Sequence, residues 1–287
     1  MKREAVNNLN KDHGVSIRRA YKALVFSQSS HYESARNANN RHEAEAPLVE
    51  SIKKVQEHRY KRFYGSPRMA DELLERGHDT TKSKTARIMR KYGLAAKRRK
   101  RFVRTTDSKH KEPVAKNILN RDFDVAKGSK TWCADITYLR TTTGWLYLAA
   151  VLNLRTRKWV GYAVAPNMKT GLVNAALDMA LYQESEHPEL MHADRGVQYA
   201  SFEHRNLLEE NGITLSMSRK GNCWDNSAME SFFGTFKHEV GDTFIDETDA
   251  KTAVFDFQTF YNRERRHSTL NNQSPLQFEK QLKSRAA

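Results

Sequence analysis

The first forty positions are mostly polar and carry no sustained apolar period, so residues 1–40 read as an N-terminal extension, weakly structured or helical. Periodicity begins with Leu48, Ile52 and Val55, spaced as one face of a helix. Ser66-Pro67 then marks a helix start, with Ser66 as N-cap and Pro67 at the first helical position, where its missing N–H costs nothing. Met69, Leu73 and Leu74 share a face, and Gly77 ends the helix. Asp79, Thr80 and Thr81 offer caps for a second helix, which carries Ile88 and Tyr92 and closes at Gly93. Two short helices around a glycine-containing turn predict a helix-turn-helix within residues 41–104. Residues 105–127 are polar with one short apolar patch and read as a linker.

The texture changes after Lys130. Residues 131–142 are rich in β-branched and aromatic residues, and Trp145 to Leu154 is almost continuously apolar, with Thr143-Gly144 as the hairpin turn between them. Strands follow at Lys158 to Ala165, Leu190 to Ala193 and Ile213 to Met217. Helices are expected at Gly171 to Tyr182, Phe202 to Glu210 and Ser227 to about Val240. Three meandering strands followed by alternating helices and strands make an α/β sheet over residues 128–240. In residues 241–287, Ala253, Val254, Phe257, Phe260 and Tyr261 form an amphipathic helix that packs on this core.

A chain of 287 residues with 38% hydrophobic residues can bury a core without staples. Its mean hydropathy of −0.79 is that of a soluble globular protein. The longest apolar run falls far short of the ~20 residues of a membrane span, and no apolar stretch follows the basic N-terminal residues, so neither a membrane helix nor a secretory leader is expected. Two cysteines exclude a disulfide framework and a four-cysteine zinc site, and fit a reducing cytoplasm.

Charge adds a partner. The net formal charge is +15, and all of the excess lies in residues 1–130, which hold 32 basic and 15 acidic residues. No acidic residue occurs between Lys82 and Arg104. Lys82, Lys84, Arg87, Arg90 and Lys91 on the second helix, and Arg98 and Arg99 beyond it, are candidates for duplex DNA, whose phosphates reward each cation by releasing counterions. The alternative is a helical hairpin with a solvated basic face.

Three carboxylates stand out by position. Asp135 lies within the first strand, Asp194 where the fourth strand ends, and Glu230 in the first turn of the helix after the fifth. A carboxylate in an apolar strand is costly to bury without a partner. Hard oxygen ligands brought together suit Mg²⁺ or Mn²⁺. Each residue also has a structural reading: Asp194 as an Asx turn, Glu230 as the partner of Ser227 in a capping box, Asp135 as one of a polar strand face with Cys133 and Thr137.

Trp132-Cys133-Ala134-Asp135-Ile136-Thr137-Tyr138, His192-Ala193-Asp194-Arg195-Gly196-Val197-Gln198-Tyr199 and Gly221-Asn222-Cys223-Trp224-Asp225-Asn226-Ser227-Ala228-Met229-Glu230-Ser231-Phe232-Phe233 together resemble the catalytic core of bacterial insertion-sequence transposases of the IS-three family, second reading frame (OrfB). Ala193 and Val197 stand where that pattern carries Ser. Thirty-five residues separate Asp194 from Glu230, the spacing of the superfamily's Asp-Asp-Glu triad. Lys237, seven residues past Glu230, falls on the same helix face. Tyr261-Asn262, Arg266-His267, Leu270 and Pro275 resemble the family's C-terminal pattern. The cysteine and histidine zinc module of retroviral integrases has no counterpart, since no Cys precedes Cys133.

The resemblance implies a ribonuclease-H-like, retroviral-integrase-like core behind a helix-turn-helix arm. It implies an enzyme that cleaves DNA 3′ ends and transfers strands, with two Mg²⁺ (or Mn²⁺) ions held by Asp135, Asp194 and Glu230. Lys237, Arg219, Lys220, Arg266 and His267 join the helix residues as candidate DNA contacts. Partners would be terminal-repeat and target DNA, a first-reading-frame protein or fusion, and a second copy of the chain, working by a copy-out route in the bacterial cytoplasm at the nucleoid. A ribonuclease-H-like nuclease and a non-enzymatic DNA-binding regulator are the alternatives. Metal dependence separates the regulator from the enzymes, and strand joining separates a transposase from a hydrolase.

Overall fold

The computed structural model describes residues 2–23, 28–96, 113–121, 130–219 and 223–286. The chain divides into two compact units, residues 1–96 and 97–287.

The first unit is helical. Helices α1 (Lys2–His13) and α2 (Ile17–Ala23) bury Val6, Ala20 and Tyr21 in a small cluster. Helix α3 (Gln28–Glu57) runs without a break through residue 40. Its Leu48, Ile52 and Val55 are buried, as are Met69 and Leu73 of α4 (Ser66–Glu75) and Ile88 and Met89 of α5 (Lys82–Lys91). The helix-turn-helix expected from spacing is therefore α4 and α5, braced by α3. Three local details differ from or extend the expectation. The N-cap of α4 is Gly65, so Ser66 begins the helix rather than capping it. Leu74 is 49% exposed, because only Met69 and Leu73 reach the inner face. Gly77 ends α4 at a φ of +82°, a conformation that favours glycine, and the next amide, of His78, reaches back to the Leu73 carbonyl at 3.0 Å. Thr81 does cap α5, its side chain accepting from the Lys84 amide.

The second unit is built on a mixed sheet. Strands β1 (Thr131–Thr141), β2 (Gly144–Asn153) and β3 (Trp159–Ala165) form an antiparallel meander, and β4 (Leu190–Ala193) and β5 (Thr214–Met217) run parallel to β1, giving the order β3-β2-β1-β4-β5. The hairpin pairs Thr141 with Gly144, so its two turn residues are Thr142 and Thr143, one position earlier than the sequence suggested. A short strand, β6 (Thr243–Phe244), pairs with the far end of β1 and has no periodic signal in the sequence.

Helices α6 (Thr170–Gln183), α7 (Val197–Ala200) and α8 (Phe202–Glu210) contribute to the main core cluster, which includes Trp132, Ala134, Val151, Leu172, Ala176, Met191 and Tyr199. A second, aromatic cluster forms where α9 (Ser227–Glu239) and α10 (Glu247–Arg263) meet Trp159, whose ring lies 4.9 Å from that of Phe232 and edge-on to Phe236, Phe257 and Tyr261. Helix α11 (Pro275–Ala286) is tied to β3 by Lys158, which pairs with Glu279 at 3.0 Å and with Glu184 at 2.7 Å.

Candidate catalytic site and nucleic-acid interface

Strand pairing decides the first part of the site. Ala134 of β1 lies opposite Ala193 of β4 in parallel register, so Asp135 and Asp194 occupy the next position on neighbouring chains. Adjacent strands are ~4.8 Å apart, which makes the two carboxylates close neighbours. Ala134 and Ile136 enter the main core, so Asp135 between them points to the opposite face of the sheet, where α9 lies against β1. The Ile136 amide donates to Asp135 Oδ1 at 2.8 Å, and the Gly196 amide donates to Asp194 Oδ1 at 2.8 Å. The second bond is the Asx turn expected as the structural reading of Asp194, and it leaves the residue at the strand end beside Asp135.

Glu230 sits exposed in the first turn of α9. The N-cap of that helix is Asn226, so Ser227 is its first residue and the capping box does not form around Ser227. Among the described residues, no group of three His, Cys, Asp or Glu side chains stands close enough to share a metal ion. The model thus brings two of the three carboxylates together and leaves Glu230 apart from them, as mutual repulsion of three anions favours. Lys237 is half-buried on α9, and desolvation pulls its pKa below the ordinary lysine value.

Buried polar groups fix the ends of β4 and β5. Ser216 Oγ accepts from the amides of Ile118 and Leu119, so its own proton goes to His192 Nδ1 at 2.9 Å. His192 Nε2 then carries the ring proton and donates to Ser218 Oγ at 3.2 Å, and Ser218 donates to the carbonyl of Ala193, next to Asp194. Burial lowers the pKa of His192 to about 4, so the ring stays neutral and both nitrogens are committed to this network. Cys133 is also unsuited to metal or nucleophilic chemistry, because burial pushes its thiol up to about 12.

Asp225, which the sequence reading quoted within a motif but did not weigh as a carboxylate, is fully buried and heavily used. Arg219 grips it with its backbone amide (2.9 Å), Nε (3.0 Å) and Nη2 (2.9 Å), Arg121 adds Nε at 2.7 Å and Asn117 adds Nδ2 at 2.9 Å. The Arg219 hydrogen bonds, with those of Arg121, hold the carboxyl well below the usual range. Arg219, a candidate DNA contact, therefore has an internal partner as well as an exposed flank.

The other basic candidates divide in the same way. Lys82 and Arg90 are exposed on α5, and Lys84 is exposed but bonds the Asp79 carbonyl. Arg87 and Lys91 both pair at 2.7 Å with the buried Glu45 of α3, which also accepts from Tyr92; Lys91 first among them lowers Glu45 to about 2. These two cations lock α5 onto α3. Arg98, Arg99 and Lys220 lie outside the described residues. Arg266 turns inward: it is 6% exposed and donates to the Asn272 carbonyl, so packing rather than an open surface accounts for it. His267 is half-buried against Tyr261, and its ring nitrogen meets Arg265 at 3.3 Å. Asn262 is also structural, its amide pairing both the N–H and the C=O of Trp159.

A surface cavity of about 760 Å³ opens beside the carboxylate pair, lined by residues that include Ala163, Met168, Lys169, Val197 and Gln198. It does not include the carboxylates themselves.

A β3-β2-β1-β4-β5 sheet with an Asp pair at the junction of two parallel strands defines a nucleic-acid-processing core of the integrase type. Residues 126–223 and 211–275 match two family models, each described as an integrase core domain, and residues 43–102 match an HTH-like domain. A protein of Shigella sonnei, "Insertion element IS600 uncharacterized 31 kDa protein", is 40% identical over 82% of this chain and 88% of its own. The transposase InsF for insertion sequence IS3A of Escherichia coli (strain K12) is 40% identical over 77% of this chain and 78% of its own. The chain belongs to this family of insertion-sequence transposases, proteins of DNA transposition. Among solved structures, the catalytic core domain of BIV integrase aligns with 16% identity and a TM-score of 0.43, over 56% of this chain and 100% of that one. The HTLV-2 integrase catalytic core in complex with magnesium aligns with 14% identity and a TM-score of 0.43, over 52% of this chain and 95% of that one.

Proposed function

We propose that the chain cleaves the 3′ ends of an insertion sequence and joins them to DNA, with Asp135, Asp194 and Glu230 holding two Mg²⁺ (or Mn²⁺) ions. The observation that carries this reading is the parallel register that sets Asp135 beside Asp194. The donor set fits a hard divalent cation: it is all oxygen, while His192 is spent on two serines and Cys133 stays a thiol. A two-ion site supplies, when loaded, an activated attacking oxygen and a stabilised leaving oxygen for in-line phosphoryl transfer.

The chain's own residues do the positioning. The Asx turn at Gly196 and the Ile136 amide orient the two Asp carboxylates. Helix α9 carries Glu230 to them once cationic charge offsets the repulsion, and Lys237, on the same helix face, steadies a DNA phosphate. Because the nucleophile is water or a DNA 3′-hydroxyl, no Ser, Tyr or Cys of the chain becomes covalently attached to DNA. Exposed Lys82 and Arg90 on α5 engage duplex phosphates. A first-reading-frame partner or fusion recognises the terminal repeats, a second copy of the chain brings the other end, and the route is copy-out.

The test is an in vitro reaction of a labelled terminal-repeat duplex with Mg²⁺ or EDTA, beside Glu230→Gln and Asp135→Asn. Metal-dependent nicking and joining, abolished in both variants while DNA binding persists, is the expected result. Near-normal joining by Asp135→Asn rejects the triad. The same reaction with the first-frame fusion distinguishes an enzyme that needs its partner from a DNA-binding protein without catalysis.

A further inference from the structure

One buried polar group near the carboxylates has no role in the scheme above. Tyr199 lies on α7, the short helix that follows Asp194-Arg195-Gly196, and is 1% exposed within the main core. Its hydroxyl has no hydrogen-bond partner among the described residues. A buried hydroxyl without a partner is costly, and the position would be more stable with Phe unless the group has another use. The backbone between Asp194 and Tyr199 is closely packed. A Cβ on Gly196 would stand 3.0 Å from Asp194 Oδ1, 2.8 Å from Gln198 Oε1 and 3.6 Å from the Tyr199 ring. The ring is held from the far side by His204, edge-on at 5.4 Å, and His204 is itself fixed by Asn174 at 2.7 Å. Tyr199 thus has little freedom to point elsewhere. The charges that act on its hydroxyl are those of Asp135 and Asp194; with burial as the larger cause, they hold its pKa well above the ordinary tyrosine value, so it remains a proton donor.

We propose that Tyr199 is a positioning residue for the carboxylate pair: its hydroxyl donates, directly or through one ordered water, to the Asp135–Asp194 oxygens and orients them for the divalent cation. The inference rests on the metal-dependent reading of the site. Hydrogen-bonding partners of metal ligands set ligand orientation, and their loss typically costs ~10–100-fold in metal affinity or activity. Phe at this position keeps the ring, the packing against Gly196 and the contact with His204, and removes only the donor.

The experiment titrates Mn²⁺ calorimetrically into the full chain and into Tyr199→Phe, with thermal unfolding of both measured in EDTA. Unfolding of Tyr199→Phe at the same or a higher temperature, with Mn²⁺ affinity reduced by about 10-fold or more, supports the role. A merely structural tyrosine would move the unfolding temperature and leave the titration alone. Equal Mn²⁺ affinity in the two proteins overturns the proposal. The metal reading fails separately: a wild-type chain whose Mn²⁺ titration matches that of an Asp135→Asn, Asp194→Asn double variant has no carboxylate metal site for Tyr199 to serve.

Discussion

His204 shows how a single residue couples fold to solvent. Its Nδ1 donates to Asn174 at 2.7 Å and its Nε2 has no partner among the described residues, so burial holds the ring neutral and lowers its pKa to about 4. The unfolded chain protonates this residue near 6.5, so the histidine's contribution is complete above that pH and is lost as pH falls to about 4. The contribution is on the order of 3 kcal/mol, read as the stability gap between wild type and His204→Gln closing over that interval in denaturant melts. A gap independent of pH would show that the ring is not held neutral. Glu239 and Arg265 make a different kind of pair, both buried and joined through three hydrogen bonds, the shortest 2.8 Å. Glu239→Ala strands a buried guanidinium and is expected to cost ~3–5 kcal/mol in chemical unfolding. Residues of this sort were hard to weigh in the sequence. Asp135 drew attention because its strand neighbours are apolar, whereas Asp225 looks like any loop carboxylate until Arg121 and Arg219 close on it.

Elements meet where side chains are small. A Cβ on Gly161 would stand 2.2 Å from the Ala176 carbonyl and 2.7 Å from Ala180 Cβ, so α6 lies on β3 through that glycine. Gly161→Ala must push helix and strand apart, at a cost of ~1–3 kcal/mol read as a lowered unfolding temperature; an unchanged temperature would mean the helix sits elsewhere. At the start of α5, Thr81→Ala removes the bond to the Lys84 amide and is expected to cost ~1 kcal/mol in urea melts. Long periodic elements were legible: β4 and α8 begin and end where the sequence put them, and α6, α9 and α10 follow their apolar spacing. Short ones were not. Two-residue β6 and four-residue α7 contain too few positions for a period to register, and only the neighbours they pair with define them.

At the scale of the molecule, charge and chemistry are divided along the chain. The net positive charge lies before residue 130, and the Asp pair lies behind it. Affinity of the chain for random duplex DNA should therefore fall steeply with salt, with a log–log slope of roughly −0.9 per phosphate contacted. Charge reversal of exposed Lys82 and Arg90 should flatten that slope, while reversal of Arg87 or Lys91 should chiefly loosen α5 from Glu45. A slope indifferent to Lys82 and Arg90 would move the DNA surface elsewhere. Among the described residues no helix is long and apolar enough to cross a membrane.

The sequence by itself determined the covalent pattern: a basic helical front, the strand and helix order behind it, and three carboxylates at a spacing that marks their family. Such features are local or additive, so they can be read one position at a time. Only the tertiary structure decided which groups meet. Parallel pairing of β1 with β4 put Asp135 beside Asp194, although 58 residues lie between them. Packing turned Arg266, Arg87 and Lys91 from candidate DNA contacts into internal partners, and buried Tyr199 within reach of the carboxylate charges. The physical reason is that desolvation and pairing are properties of three-dimensional neighbourhoods, and a cation in the sequence carries no mark of whether its partner is a phosphate or a buried glutamate.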